Sequence, residues 1–338
     1  AKTTNSNGDD LSIITTAEGN ITSYLDHMDS TGAYTSIITD PTGAETLFHR
    51  SADGLSSHKN LPCGMNLSFT YDLDTEYLHA ILTEVKEATP SGLTRITTQG
   101  KTYQDTDYDS MPDLITQTTA VNGRTASIQN NVLLSQEAST SPEGRVVTRL
   151  YDPLTLRTAT LILPGHYDTT YGYDSRGKLT AIRTFTRESS LTYNDQGFLE
   201  TITDGENHAT RYAYDEVGRI IRVDRPDNSS IWFDHDNNGN ITVLTNPSSI
   251  GHGFDYNTVN LNSSYQAPLS GRYSYVYDRD RRLSQITFPS GKEVNQIYDA
   301  TQLIQIQTPE GNIDYTYLCG TKIDSITKGV EGITYGYD

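Results

Sequence analysis

The feature that most narrows what this chain can become is a short phrase that returns at a fixed interval. It reads Tyr171-Gly-Tyr173-Asp174-Ser-Arg-Gly177-Lys-Leu179, then Leu191-Thr-Tyr193-Asn194-Asp195-Gln-Gly197-Phe-Leu199, then Tyr212-Ala-Tyr214-Asp215-Glu-Val-Gly218-Arg-Ile220. The second aromatic position recurs at Tyr173, Tyr193, Tyr214, His235, Tyr256, Tyr277, Tyr298, Tyr317 and Tyr337, with gaps of 20, 21, 21, 21, 21, 21, 19 and 20 residues. The copies vary: His235 replaces the Tyr, Arg281 stands where the Gly belongs, and the copy at Tyr298-Asp299 is one residue short before Leu303. A period of this length means that one supersecondary unit is stacked against its like many times over.

Each unit reads as a β-hairpin. Runs such as Thr210–Tyr214 and Arg219–Val223 are β-branched or aromatic, the composition of strands. Between them Asp215 can cap a turn through its carboxylate and Gly218 can supply a positive φ, which fits a type I turn ending in a bulge. A second turn follows, as at Pro226-Asp-Asn228, Pro289-Ser-Gly291 and Pro309-Glu-Gly311. Two turns in about 21 residues leave room for two strands of ordinary length. Tyr212 and Tyr214 share a face, so stacked units are expected to set their tyrosines in a cross-strand ladder. One pair resists a regular strand: Leu179 and Ile182 are three apart and would point to opposite faces. Either a bulge intervenes or both faces of the sheet are partly apolar.

Composition supports a thin sheet over a packed core. Hydrophobic residues make up 34% of the chain and charged residues 20%, with a mean hydropathy of -0.56. Tyr outnumbers Phe by 23 to 7, and a phenol suits a wetted face because its hydroxyl wants a partner. The net charge of -18 and the lack of clustered Lys and Arg exclude nucleic acid as a partner. No apolar run is long enough to span a membrane, so no membrane insertion by this segment is expected.

The recurring Tyr-Asp-x-x-Gly-Arg-Leu phrase resembles the YD repeat of the Rhs family, which includes bacterial Rhs polymorphic toxins, the C component of Tc insecticidal toxins, and teneurins. The resemblance implies an all-β array of antiparallel hairpins, a long sheet that spirals into part of a hollow shell. In bacterial members that shell encloses a toxic C-terminal polypeptide. Such a protein would be secreted or on the cell surface, exported as part of a larger bacterial protein. Its expected partners are a polypeptide cargo or the remaining shell repeats, and the teneurin side of the resemblance allows a glycan or cell-surface partner. Clear copies run from 171 to 338 and degenerate ones from 1 to 170, where Tyr71-Asp72, Tyr108-Asp109 and Tyr151-Asp152 keep the dipeptide. The whole is read as a single array, and, since it stops inside a copy at Tyr337-Asp338, as a fragment of something longer. Residues 78–85 contain acceptable helix formers, but a strand fits them better.

Candidates for chemistry are few. Asp105, Asp107, Asp109 and Asp113 alternate as calcium ligands do, and the run resembles the acidic loops of thrombospondin-type repeats, with Ser110 in place of their Gly. The same run also reads as a worn repeat unit. Asp234-His-Asp236-Asn-Asn238-Gly239-Asn240 opens like an EF-hand loop, but Thr245 stands at its twelfth position. Apart from calcium, no cofactor is expected. The eight His are scattered without zinc spacing. Cys63 and Cys319 belong to no paired motif; free thiols are the simpler reading, and a disulfide requires the array to curl. No Gly-x-Ser-x-Gly elbow occurs, and Asp40-Pro-Thr-Gly43 has the letters of the family's self-processing protease but the setting of an ordinary turn. The segment is expected to be no enzyme.

Overall fold

The computed structural model describes residues 2–4 and 9–337. Asp338, which belongs to the last copy, lies outside those residues. Among the described residues there are 31 strands and one three-residue 3-10 turn, Pro62–Gly64. The chain is all-β, as the turn punctuation predicts, and residues 80–88 form a strand with no helix.

The chain divides into two compact units. One comprises residues 1–102, 117–126 and 275–338, and the other 103–116 and 127–274. Within the second unit the strands follow one another as an antiparallel meander, for example Arg187–Tyr193, Leu199–Thr203, Ala209–Tyr214, Ile220–Asp224 and Ser230–His235. The first unit is built the same way, both in its N-terminal part and in the strands from Leu283–Thr287 onward.

The hairpin turns form as their residues dictate. In the copy at Tyr173, Asp174 and Lys178 close the loop through Asp174 N–H to Lys178 O at 2.9 Å, and Gly177 N–H returns to Asp174 O. The Asp174 carboxylate accepts the N–H groups of Arg176 and Lys178 at 2.9 and 2.8 Å. Asp215 and Asp236 repeat the pattern. These bonds hold Asp174, Asp215 and Asp236 below the ordinary carboxylate value. For Asp174 and Asp215 the main cause is the N–H four residues on, and for Asp236 it is the Asn240 side chain. Arg281, in the Gly position, takes the same left-handed conformation at φ +64°.

A bulge resolves the spacing of Leu179 and Ile182. Tyr171 faces Ile182, Gly172 faces Ala181, and Tyr173 faces Leu179, so Thr180 is the extra residue. The bulge returns Leu179 to the face of Ile182 and the tyrosines. The same shift occurs just before Tyr193, Tyr214, His235, Tyr256, Tyr298 and Tyr317, and in the worn copies before Tyr71 and Tyr151. Tyr108 departs from this pattern: it is 89% exposed on a loop and does not serve as a repeat tyrosine.

Few side chains are fully covered. Among the described residues the buried hydrophobic ones are Tyr151 and Ala267. Side chains so widely wetted are served by Tyr and Thr, where Leu and Phe would be wasted.

Candidate functional site

The device that joins one unit to the next is built on the repeat tyrosine. The Tyr193 hydroxyl donates to Leu179 O at 2.8 Å, that of Tyr214 to Leu199 O at 2.7 Å, and that of Tyr256 to Ile241 O at 3.0 Å. In the other unit Tyr298, Tyr317 and Tyr337 donate to Leu283, Leu303 and Ile323 O at 3.1, 2.8 and 2.7 Å. Each acceptor belongs to the aliphatic strand of the preceding copy. Burial pushes the Tyr214, Tyr298 and Tyr317 phenols above their ordinary value, so they stay protonated donors. His235 keeps the bulge but carries no hydroxyl, and its Nδ1 has no partner among the described residues.

The residue just before the aliphatic of each copy covers the next tyrosine. Lys178 Nζ lies 4.8 Å from the centre of the Tyr193 ring, Arg282 Cζ 4.4 Å from that of Tyr298, and Lys322 Nζ 4.8 Å from that of Tyr337. Phe198 stacks on Tyr214 at 5.1 Å. The basic side chains also donate onward: Lys178 to Gly197 O, and Arg282 to Ala300 O at 2.5 Å. This explains why the repeat wants a basic or bulky residue there. A cross-strand aromatic ladder forms over one stretch, where Phe254, Tyr265 and Tyr273 stack at 5.2 and 5.8 Å, but not between the second tyrosines of successive copies. Repeat tyrosines of successive copies sit two strands apart, about 9.5 Å at the usual strand spacing. A long side chain therefore bridges each gap.

The acidic loop comes together in part. Ligand atoms of Asp105, Asp107 and Asp109 lie within 4.8 Å of one another. Asp113 is not in that group; its Oδ2 accepts from the Thr106 N–H and hydroxyl, both at 2.8 Å, and from Asp107 N–H at 3.2 Å. The other three also serve as turn caps: Asp105 for Tyr108 and Ser110 N–H, Asp107 for Asp109 N–H, Asp109 for Met111 N–H. Asp107 is held above the ordinary value, first by desolvation and then by the charges of Asp109, Asp113 and Asp105, against the Asp109 N–H that lowers it. Three carboxylates so placed could meet one hard cation. In the stretch 234–240, by contrast, Asp234 lies in a strand opposite Val243, and Asp236 caps Asn238 and Asn240.

Cys63 and Cys319 form a disulfide, with Cα atoms 5.2 Å apart across a sequence separation of 256. The simpler expectation of free thiols is thus corrected. The cause is a closure inside the first unit that joins turns far apart in the chain. Asp280 accepts from Thr16 Oγ1 at 2.6 Å, Glu18 N–H at 3.0 Å and Asn20 Nδ2 at 2.8 Å, while Arg279 N–H donates to Glu18. Asp40, as expected of an ordinary turn, caps Thr42 and Ala44. No sequence signal marks Asp280; the presence of two cysteines was the one hint that such a closure exists.

Comparison with known proteins places these features. A family model described as teneurin YD-shell matches residues 94–335. Teneurin-3 of Danio rerio is 24% identical over 163 residues, 46% of this chain and 6% of that protein. Among solved structures, the crystal structure of TcdB2-TccC3-Cdc42 covers 94% of this chain at TM-score 0.56 and 15% identity. The Photorhabdus luminescens Tc holotoxin pore covers 94% at TM-score 0.50 and 16% identity. This chain spans 21% of each of those two chains. At such identities the likeness is one of fold.

Proposed function

The chain belongs to the teneurin YD-shell family, and from that premise we propose that it is a stretch of container wall, a single repeat array that helps to enclose a polypeptide cargo. The observation that carries this reading is the coupling of each unit to the one before it, through the tyrosine hydroxyl, and to the next, through the basic or aromatic side chain over its ring. An array coupled in this way extends by adding copies, and its stability accumulates from neighbour to neighbour. The near absence of a packed core supports a layer with two wetted faces. In this reading the wall does no chemistry of its own. Its partners are the cargo and the other repeats of its parent protein, and it is exported as part of a larger bacterial polypeptide.

The test is protease protection. The parent protein is purified with its downstream segment intact, and digestion of that segment is followed while the wall strands remain whole. Protection of the segment supports the container; its free digestion refutes it. In that case the match to teneurin-3 favours a recognition surface for a glycan or cell-surface partner, which a glycan array would then identify.

A further inference from the structure

Four successive strands of the first unit, Tyr34–Thr39, Glu45–Arg50, Ser56–Asn60 and Asn66–Leu73, turn alternate side chains to one face. There they line a cavity of about 730 Å3, within the range of small-molecule sites. Its floor is made by two small residues. Ser36 stands opposite Phe48, and Ser57 is flanked by Arg50 on one side and Phe69 on the other. Both serines are only 7% exposed. Small side chains in a row of rings leave a depression, and their hydroxyls turn polar groups into it.

The walls are aromatic. Tyr34 and Phe48 have ring centroids 6.2 Å apart, and Phe69 and Tyr71 line the far side. Tyr34 is held in place by its hydroxyl, which donates to Asp26 at 2.7 Å.

The charge in this cavity runs against the rest of the chain. Arg50 and Lys59 both line it, and neither forms an ion pair with a carboxylate among the described residues, whereas Arg149, Arg219 and Arg282 each have one. Arg50 pairs with Ser57 and Lys59 with Phe48, so the two cations are diagonal neighbours across adjacent strands. The Arg50 guanidinium lies 5.8 Å from the centre of the Tyr34 ring, and two like charges on neighbouring strands raise each other's energy. The chain has 43 acidic residues to 25 basic ones, yet this hollow is lined by two cations and no carboxylate; the carboxylate at its border, Asp26, stands opposite Ser36 and is engaged by the Tyr34 hydroxyl. An anion lying between them would remove the repulsion.

We propose that this cavity is a binding site for a carboxylate carried on an aromatic body. The ring lies among Phe48, Phe69 and Tyr71, and the carboxylate lies between Arg50 and Lys59. That chemistry is found both in free arylcarboxylic acids and in peptides with an acidic residue beside an aromatic one.

Isothermal titration with indole-3-acetate and with indole-3-acetamide tests it, since the two share ring and shape and the amide lacks the charge. The acid is expected to bind at least tenfold more tightly than the amide, with the difference shrinking as salt rises. Arg50→Gln and Lys59→Gln, on solvent-accessible positions, are each expected to weaken the acid about tenfold and leave the amide unchanged. Ser57→Phe is expected to fill the floor and abolish both. Equal affinity for acid and amide, or an acid affinity unmoved by Arg50→Gln and Lys59→Gln together, overturns the proposal. Acetyl-Phe-Glu-amide distinguishes the sources: binding tighter than indole-3-acetate assigns the site to a peptide, and weaker binding assigns it to a free acid.

Discussion

Two turn glycines with the same backbone and different surroundings separate conformational strain from packing. Gly218 and Gly239 have φ of +88° and +90°, so replacing either with Ala imposes the same left-handed penalty, about 1 kcal/mol. Their neighbours differ. A Cβ at Gly239 would meet only Arg219 Cδ at 4.0 Å, whereas one at Gly218 would come within 2.9 Å of Phe198 Cε1 and closer still to Cζ. Phe198 cannot yield freely because it stacks on Tyr214 at 5.1 Å. Displacing it forfeits roughly 0.5–1.5 kcal/mol of ring contact, with roughly 1–3 kcal/mol for overpacking as the alternative. Gly239→Ala should therefore lose about 1 kcal/mol and Gly218→Ala, by the cheaper route of displacing Phe198, about 1.5–2.5 kcal/mol. The assay is urea unfolding followed by the fluorescence of Trp232, the only Trp of the chain, which lies in a strand between the two turns. Equal losses, or a larger loss for Gly239→Ala, would refute the account of Phe198 as a bridge between copies.

Further outcomes are expected. Tyr214→Phe leaves the Leu199 carbonyl without its 2.7 Å donor and should lower stability by about 1 kcal/mol, with faster amide exchange in the neighbouring strands and little change far away. Cys63→Ser removes a link across 256 residues, which the chain-entropy account values at roughly 5 kcal/mol as an upper bound; a lower melting temperature, matched by dithiothreitol on the unaltered protein, checks it. Asp152, Asp174, Asp204, Asp215 and Asp236 all have folded pKa values below the ordinary 3.8. Their contribution is therefore complete only well above 3.8, from about pH 5, and is lost as pH falls through the unfolded and then the lowered folded values, so melting temperature should fall progressively below about pH 5 and not above it on their account. Asp107 has the opposite sign: its raised value makes its charge unfavourable at neutral pH and relieves the strain as pH falls, so Asp107→Asn should be at least as stable as the native chain at pH 7 in a chelator. Millimolar calcium should raise the melting temperature of the native chain more than that of Asp107→Asn if the three carboxylates take the ion together.

The readable part of this protein was local. A hairpin depends on residues within a turn of one another, so Asp174, Gly177 and the alternation of Tyr171 and Tyr173 were enough to foresee antiparallel strands, the left-handed turn position and a near absence of helix. The period then carried the pattern along the chain, even where Arg281 replaces the Gly. Bulges were legible only as a choice, because Leu179 and Ile182 fit either a bulge or a two-sided sheet until the partner strand set the register. What joins the copies was not legible. The tyrosine hydroxyl reaches a carbonyl 14 or 15 residues earlier, a distance in sequence that no strand or turn rule inspects.

Tertiary structure alone decided the longer contacts. Asp280 meets Thr16 across 264 residues, and Cys63 meets Cys319 across 256, because small geometric increments of many hairpins add up to where two distant turns fall. The acidic run shows the same limit at short range, since alternate spacing brought Asp105, Asp107 and Asp109 together but backbone donors drew Asp113 to Thr106. The hollow floored by Ser36 and Ser57 depends on the register of four strands at once. Sequence specifies each hairpin because turn and strand energies act within a few residues; where one hairpin meets another far along the chain depends on summed twist and register, which exist only in three dimensions.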